Sequence, residues 1–260
     1  MKIIVCGAAG RMGQAILNLA KTDIDIEVVG AVEFDKSPFI GSPSLSGIPI
    51  IGSDSLKKVL PLADVMIDFT SCQSALTNLE AAKTHKKPVV IGTTGFDTLQ
   101  KNQITQIAQE IPVLLSPNMS MGVNVLFKLV EEAAKKLSGY DIEILEVHHN
   151  KKKDAPSGTA VKIAEIAAKA VGKDIGQVGV YGRHSAEKVR TKEEIGIMSL
   201  RGGDIAGDHT VYFAGIGDRV EITHRASSRD AFAAGALKAA RWIIAKTPNL
   251  YSMQDVLELN

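Results

Sequence analysis

The chain opens with an apolar run, Ile3-Ile4-Val5-Cys6, that passes without a break into Gly7-Ala8-Ala9-Gly10-Arg11-Met12-Gly13. Behind that turn, Met12, Ala15, Ile16, Leu19 and Ala20 recur at helical spacing. No other feature restricts the possible folds as strongly. Strand, glycine turn and helix in direct succession are the start of a β-α-β unit. Residues without bulky side chains let a ligand's phosphates approach the backbone. The helix behind them offers unpaired N–H groups and the positive end of its dipole. The spacing is G-x-x-G-x-x-G rather than the commoner G-x-G-x-x-G, and a glycine cluster also occurs in tight turns that bind nothing. Two neighbours favour a ligand. Strand and helix flank the turn in the required order, and Glu33 stands 20 residues beyond Gly13, just past the second apolar run, Val28-Val29-Gly30-Ala31-Val32. A carboxylate there can accept hydrogen bonds from a ribose. Gly7, Ala8, Ala9, Gly10, Arg11, Met12 and Glu33 therefore read as a dinucleotide-binding set.

The apolar runs continue with Val65-Met66-Ile67-Asp68-Phe69, Val89-Val90-Ile91 and Val113-Leu114-Leu115. Runs that do not alternate with polar residues suit strands covered on both faces, hence a parallel sheet. Residues 11–21 and 97–110 carry helical patterns between them, and the alternation predicts a doubly wound α/β domain. Ligands in such sheets bind outside the carboxyl ends of the strands. Gly92, Thr93 and Thr94 after the fourth run, and Ser116, Pro117, Asn118 and Met119 after the fifth, are thereby candidates for contact with a nicotinamide and its ribose. The stretch Ser37–Ser53 holds three prolines and three glycines and reads as a surface loop. Cys6 reads as strand packing, since nothing near it would lower a thiol pKa.

Beyond residue 120 the texture changes. A helix pattern runs from Val123 to Leu137, a strand ends near His148, and a helix is expected over about 159–171. Segments 195–200, 209–214 and 219–224 alternate apolar and polar residues between glycine-rich turns, as an open mixed or antiparallel sheet does. A last helix over 231–245 resumes the Ala-rich pattern of the first part. The fold class expected is α/β: a Rossmann-type dinucleotide-binding domain of residues 1–120 and 229–260, with an α+β domain on an open mixed sheet, residues 121–228, inserted into it.

Within the insert, Glu146-Val147-His148-His149-Asn150-Lys151-Lys152-Lys153-Asp154-Ala155-Pro156-Ser157-Gly158-Thr159-Ala160 leaves a strand, crosses a basic loop and enters a helix. Ser157 stands at the N-cap, and Gly158 and Thr159 present first-turn N–H groups. Histidines, lysines and a helix N-terminus together can grip carboxylates while delivering a proton. Successive strand residues face opposite sides, so both histidines share a site only if the strand ends or twists there. A lone three-lysine run would be a solvated loop. Adjacent histidines are poorly spaced to chelate and lack an H-E-x-x-H or cysteine partner, so no metal is expected. His85, His184, His209 and His224 are singletons and read as surface or core.

Charge and composition exclude other classes. Thirty basic and 29 acidic residues leave a net charge of +1, which gives no field for nucleic acid or anionic lipid. No run approaches the roughly 18 apolar residues of a membrane span, and the opening segment is too short for a signal peptide. Two cysteines without C-x-x-C spacing fit a reducing, cytoplasmic setting.

Along essentially its whole length the sequence resembles the dihydrodipicolinate reductases (4-hydroxy-tetrahydrodipicolinate reductases) of bacterial lysine and diaminopimelate synthesis. The resemblance rests on the glycine turn, Asp68-Phe69-Thr70, Gly92-Thr93-Thr94-Gly95-Phe96, Asn118 to Asn124, Arg201-Gly202-Gly203-Asp204-Ile205 and Glu221 to Ala226. Most specific is the segment Glu146 to Ala160. The resemblance implies hydride transfer from NADH or NADPH to a cyclic unsaturated dicarboxylate, followed by protonation of the enamine-like anion. It implies His148 as general acid with Lys152 as its partner, and substrate binding by His149, Lys152, Gly158 and Thr159. It further implies a homotetramer built through the sheet of the second domain, and closure of two domains over ligand. One departure stands out. Many members that use NADPH carry an arginine directly after the acidic residue ending the second strand, and here that place is Phe34. Glu33 and Asp35 would repel a 2′-phosphate, offset only by Arg11 or Lys36, so NADH is expected to serve at least as well. Two other readings compete: a semialdehyde or imine reductase sharing only the first domain, for which neither cysteine is suitably placed, and a non-catalytic NAD(H) sensor, which would need no proton donor.

Overall fold

The fold was analysed in a computed structural model that describes residues 1–184 and 188–259. In chain order the elements are β1 (Lys2–Cys6), α1 (Arg11–Thr22), β2 (Glu27–Glu33), β3 (Ile50–Gly52), α2 (Leu56–Val59), β4 (Val65–Asp68), α3 (Cys72–Thr84), β5 (Val89–Ile91), α4 (Thr98–Ile107), β6 (Pro112–Leu115) and α5 (Met121–Lys136). There follow β7 (Asp141–His148), α6 (Gly158–Ala170), α7 (Ile175–Val178), β8 (Gly179–Tyr181), β9 (Ile195–Arg201), β10 (Gly207–Ala214), β11 (Arg219–Ala226), α8 (Asp230–Ile243), β12 (Asn249–Tyr251) and α9 (Met253–Val256). They form two compact units, one of Met1–Met121 with Arg229–Asn260 and the other of Gly122–Ser228.

The first unit is a seven-stranded sheet in the order β12-β6-β5-β4-β1-β2-β3, with every neighbouring pair parallel. Its apolar runs are buried from both sides, as their lack of alternation predicts. Ile3, Val5, Val65, Ile67, Val90 and Leu114 enter a core closed by α1 and α8 through Ile16, Leu17, Ala236 and Ala240. Ile4, Cys6, Met66, Val89, Ile91 and Val113 enter the opposite core, closed by Leu79 of α3 and by Ile104 and Ile107 of α4. At about 25 cal/mol per Å² of apolar surface, these two layers are the main source of the unit's stability. The strand order reverses direction between β1 and β4, so the loops after these two strands diverge and leave a crevice at their carboxyl ends.

The doubly wound sheet and the inserted mixed sheet are the architecture expected from the sequence. One segment differs. Ser37–Ser53 is not all loop, because Ile50–Gly52 pairs with Ala31–Glu33 as an edge strand. The single apolar pair Ile50-Ile51, preceded by Pro49, is too short to announce a strand, and an edge position tolerates the proline.

The second unit carries a five-stranded sheet in the order β11-β10-β7-β9-β8, with β10 antiparallel to its neighbours and β7-β9-β8 parallel. Here burial alternates along β7 and β10. Ile142, Ile144, Ile197, Val211 and Phe213 meet Leu126, Val130, Ile163 and Ala167 of α5 and α6. Since the period is two, Glu146 and His148 fall on that same buried face, toward the end of β7. Among the described residues no helix is long and apolar enough to cross a membrane.

Candidate active site

In the first unit the glycine turn takes the course its composition allows. Gly7 has φ +81°, and a Cβ there would lie 2.7 Å from the Phe69 carbonyl oxygen. Gly13, at the first turn of α1, packs so closely on Gly7 and Ala8 that a Cβ would fall on their backbone. The Gly7 and Ala8 amides donate to the Val32 carbonyl at 2.9 and 3.1 Å, and the Ala9 amide donates to Glu33 Oε1 at 2.8 Å. Gly10 at the N-cap contributes no side-chain hydrogen bond, so the first-turn amides of α1 carry no side-chain cap. A pocket of about 470 Å³ opens here, lined by Gly7, Gly10, Glu33, Phe34, Phe69 and Thr70 among others. A helix N-terminus, a side-chain-free turn and a carboxylate at the end of β2 fit a dinucleotide's pyrophosphate and ribose.

Behind the turn lies Asp68, fully buried in register with Cys6. Its carboxylate accepts from Asn78 Nδ2 at 2.8 Å, from the Thr70 amide at 3.0 Å and hydroxyl at 2.7 Å, and from the Thr93 hydroxyl at 3.3 Å. Burial pushes this carboxyl above its ordinary range, against those hydrogen bonds. Burial also pushes the Cys6 thiol well up, with Asp68 and Glu33 adding to the effect, so it is inert packing.

Of the other strand-end candidates, Gly92 adjoins the Phe69 ring, which a Cβ would strike. Thr93 is buried with its hydroxyl turned to Asp68 and the Thr70 carbonyl, whereas Thr94 is exposed. The Ser116 hydroxyl is spent on the Asn118 carbonyl at 2.9 Å, Pro117 is exposed, and the Met119 side chain is packed in the core. At Thr93, Ser116 and Met119, therefore, backbone rather than side chain is what a ligand could meet.

In the second unit, β7 ends at His148, which answers the question of facing: beyond that point the His149 amide donates to the Ile205 carbonyl at 2.8 Å and the strand pattern stops. Ser157 caps α6, its hydroxyl accepting from the Ala160 amide at 3.2 Å. A Cβ at Gly158 would meet open space, and Thr159 follows in the first turn. Lys152 is ion-paired with Asp154 at 2.8 Å, and that contact holds the Asp154 carboxyl below its usual range. His149 Nδ1 is buried without a hydrogen-bond partner.

The centre of the cluster is Glu146, which the sequence pattern left unassigned. It is fully buried. His148 Nδ1 donates to its Oε2 at 2.5 Å, Arg201 donates to both its oxygens at 2.8 Å, and the Ser157 amide donates to Oε1 at 3.0 Å. Burial drives the Glu146 carboxyl up, but the bonds from Arg201, His148, Ser199 and Ser157 overcome it and bring the pKa down to about 2. Burial lowers the His148 imidazole below its ordinary value, against the pull of Glu146. His209, read from sequence as a singleton, instead stands edge-on to His148 with ring centroids 5.2 Å apart. Its Nε2 lies 3.0 Å from the Ser157 hydroxyl, and burial brings its pKa down to about 3. Glu146 was detectable by stepping two residues back from His148. Arg201 and His209 carry no local signal, because cross-strand register alone brings them here: Arg201 opposite His148, and His209 opposite Glu146.

Comparison with known proteins covers both units. Residues 1–119 match the family model described as "Dihydrodipicolinate reductase, N-terminus", and residues 122–257 the one described as "Dihydrodipicolinate reductase, C-terminus". A protein of Syntrophotalea carbinolica named 4-hydroxy-tetrahydrodipicolinate reductase is 50% identical over 100% of this chain and 99% of its own. One of the same name from Aquifex aeolicus is 49% identical over 100% and 99%. The solved structure of a dipicolinate-bound dihydrodipicolinate reductase from Paenisporosarcina sp. TG-14 superposes with a TM-score of 0.78 over 98% of each chain at 23% identity, a likeness of fold. Matched from the glycine turn through the histidine cluster to its last helices, the chain belongs to the dihydrodipicolinate reductase family.

Proposed function

We propose that this chain is the oxidoreductase that reduces 4-hydroxy-tetrahydrodipicolinate (dihydrodipicolinate) to tetrahydrodipicolinate in lysine and diaminopimelate synthesis, with His148 as its proton donor. The observation that carries the reading is the half-identical, end-to-end match to relatives of that name, which spans the Glu146–Ala160 segment. A reduced nicotinamide dinucleotide supplies the hydride. The first unit holds it by Gly7, Ala8, Ala9, Gly10, Arg11 and Met12 at the phosphates, with Glu33 at the ribose and the 92–94 and 116–119 segments toward the nicotinamide.

The second unit binds the dicarboxylate. Amides of Gly158 and Thr159 at the N-terminus of α6 and the Lys152 ammonium suit its carboxylates, with Lys152 leaving Asp154 to do so. His149, whose buried Nδ1 has no partner within the chain, is a further contact for the substrate. After hydride addition the substrate carries an enamine-like anion. His148 gives it the Nε2 proton, a C–H bond forming as the N–H bond breaks, and Glu146 keeps Nδ1 protonated throughout.

Phe34 in place of arginine, flanked by Glu33 and Asp35, leaves little to neutralise a 2′-phosphate, and the Asp35 carboxylate is further anchored by the Ser53 hydroxyl at 2.6 Å. NADH is expected to match or exceed NADPH in kcat/KM, and a ten-fold or greater preference for NADPH overturns this. The reading includes a cytoplasmic homotetramer, which sedimentation at working concentration checks. The reaction itself is tested by loss of reduced-nicotinamide absorbance on adding freshly generated substrate. No loss with either cofactor refutes the assignment.

A further inference from the structure

We infer that Glu146 and Arg201 are a positioning pair for His148: Glu146 fixes the imidazole by Nδ1, and Arg201 sets how much of the Glu146 charge that imidazole feels. The inference rests on His148 being the proton donor and adds to it two residues that act through His148 rather than on substrate.

The Glu146 carboxylate accepts from His148, twice from Arg201, from the Ser157 amide and from the Ser199 side chain, so both of its oxygens are bonded. Arg201 is itself immobilised. Its Nη1 donates to the Leu200 carbonyl and its Nη2 to the Asp154 carbonyl, both at 2.6 Å, besides the fork onto Glu146. A carboxylate buried beside an imidazole with no other cation would hold that imidazole's proton as an ion pair and make it a poor donor. The planar guanidinium removes that excess and leaves Glu146 an acceptor for Nδ1–H. The other charged or titratable groups acting on His148 are Lys152 from the loop after β7, itself paired with Asp154, and His209 from β10, with His224 of β11 registered against His209.

The arrangement selects one nitrogen. With Nδ1–H committed to Glu146, the transferable proton is on Nε2. Gly207 of β10 lies against that nitrogen, and a Cβ there would come within 2.9 Å of it. Glycine therefore keeps the delivering edge of the ring clear. When the proton leaves Nε2 its bonding pair stays on that nitrogen, and the product is the neutral Nδ1–H imidazole that Glu146 already holds. No second proton has to move. The same carboxylate takes the amide of the residue capping α6, so the donor and the proposed carboxylate cradle share one anchor.

The test is the pH dependence of kcat/KM in the intact enzyme for Glu146→Gln and Arg201→Gln. Glu146→Gln removes the anion behind the imidazole, so the limb assigned to His148 should move to lower pH, by about one unit, with kcat near neutrality reduced roughly ten-fold. Arg201→Gln bares the Glu146 charge, so the same limb should move to higher pH. Displacements in opposite directions are a result that loosened packing does not produce, and displacement in the same direction, or in neither variant, overturns the proposal. The double variant His148→Gln/Glu146→Gln should be no slower than His148→Gln alone, and a further ten-fold loss overturns it too. Nitrogen-15 spectra of the imidazoles in the wild-type protein provide a readout that needs no variant to fold. The Nδ1–H tautomer at His148 is expected, and the Nε2–H tautomer refutes the pair. Should His148→Gln itself retain full kcat, the donor assignment falls, while these spectra still decide whether Glu146 fixes the ring.

Discussion

The two clusters are made of different materials. Around Gly7–Gly13 the first unit presents mostly backbone, amides and a helix end with few bulky side chains, and Glu33 and Arg11 are the charged groups beside it. Around Glu146 the second unit presents side chains from three strands and a loop, a carboxylate, a guanidinium, an ammonium and imidazoles, and those side chains titrate or pair. Backbone dipoles carry no protons to lose near neutrality, so a site made of them binds over a wide pH range. A site made of paired side chains can move a proton, but its behaviour depends on every partner. The proposed roles follow this split: dinucleotide binding falls to the first material, and proton transfer to the second.

The largest effect that would sharpen this contrast is on turnover. His148→Gln should lower kcat by about 10²–10⁴, the usual worth of a general acid, with dinucleotide affinity unchanged. An unaltered kcat would break the assignment. Lys152→Ala should reduce turnover and weaken dicarboxylate inhibitors by roughly ten-fold or more, in line with about 1.5–3 kcal/mol for a hydrogen bond to a charged group. A wild-type inhibition constant would return that lysine to a solvated loop. In the other unit, Gly13→Ala forces a methyl group onto the Gly7 backbone. It should weaken dinucleotide binding by about ten-fold, or 1.4 kcal/mol, while calorimetry finds dicarboxylate binding intact. Equal loss of both ligands would erase the division of labour.

A last effect bears on stability rather than on ligands. The folded chain keeps His209 neutral down to about pH 3, whereas an ordinary imidazole takes its proton near 6.5. Between those values the unfolded chain binds more protons, so stability falls as pH falls. From pH 7 to 5 the cost is about 2 kcal/mol. His209→Asn should flatten that part of the profile in urea unfolding at the two pH values, and an unchanged slope would show that His209 is not the group responsible.

The same contrast explains what could be read in advance. The parallel sheet follows from Ile3-Ile4-Val5-Cys6 and its successors, because burial on both faces leaves no alternation, and the phosphate turn follows from glycines whose positions backbone contact demands. His148, Lys152, Gly158 and Thr159 are visible through a contiguous motif. Glu146, Arg201 and His209 meet only through the register of β7 with β9 and β10, which no local window contains. Edge elements escaped for a related reason. β3 and β12 are three residues each and owe their existence to the strand beside them.

The order of pairing in the first sheet bears on how the chain reaches its folded state as it leaves the ribosome. Ala236, Ala240 and Ile243 complete one of its two cores, and β12 pairs with β6 at its edge, yet all of them are made after the entire inserted unit. The nucleotide-binding half, although begun first, has one apolar sheet face covered only by α1 until the segment from Arg229 emerges, whereas the insert has its strands and helices in hand earlier. The interval before α8 arrives is when a chaperone would find most to hold.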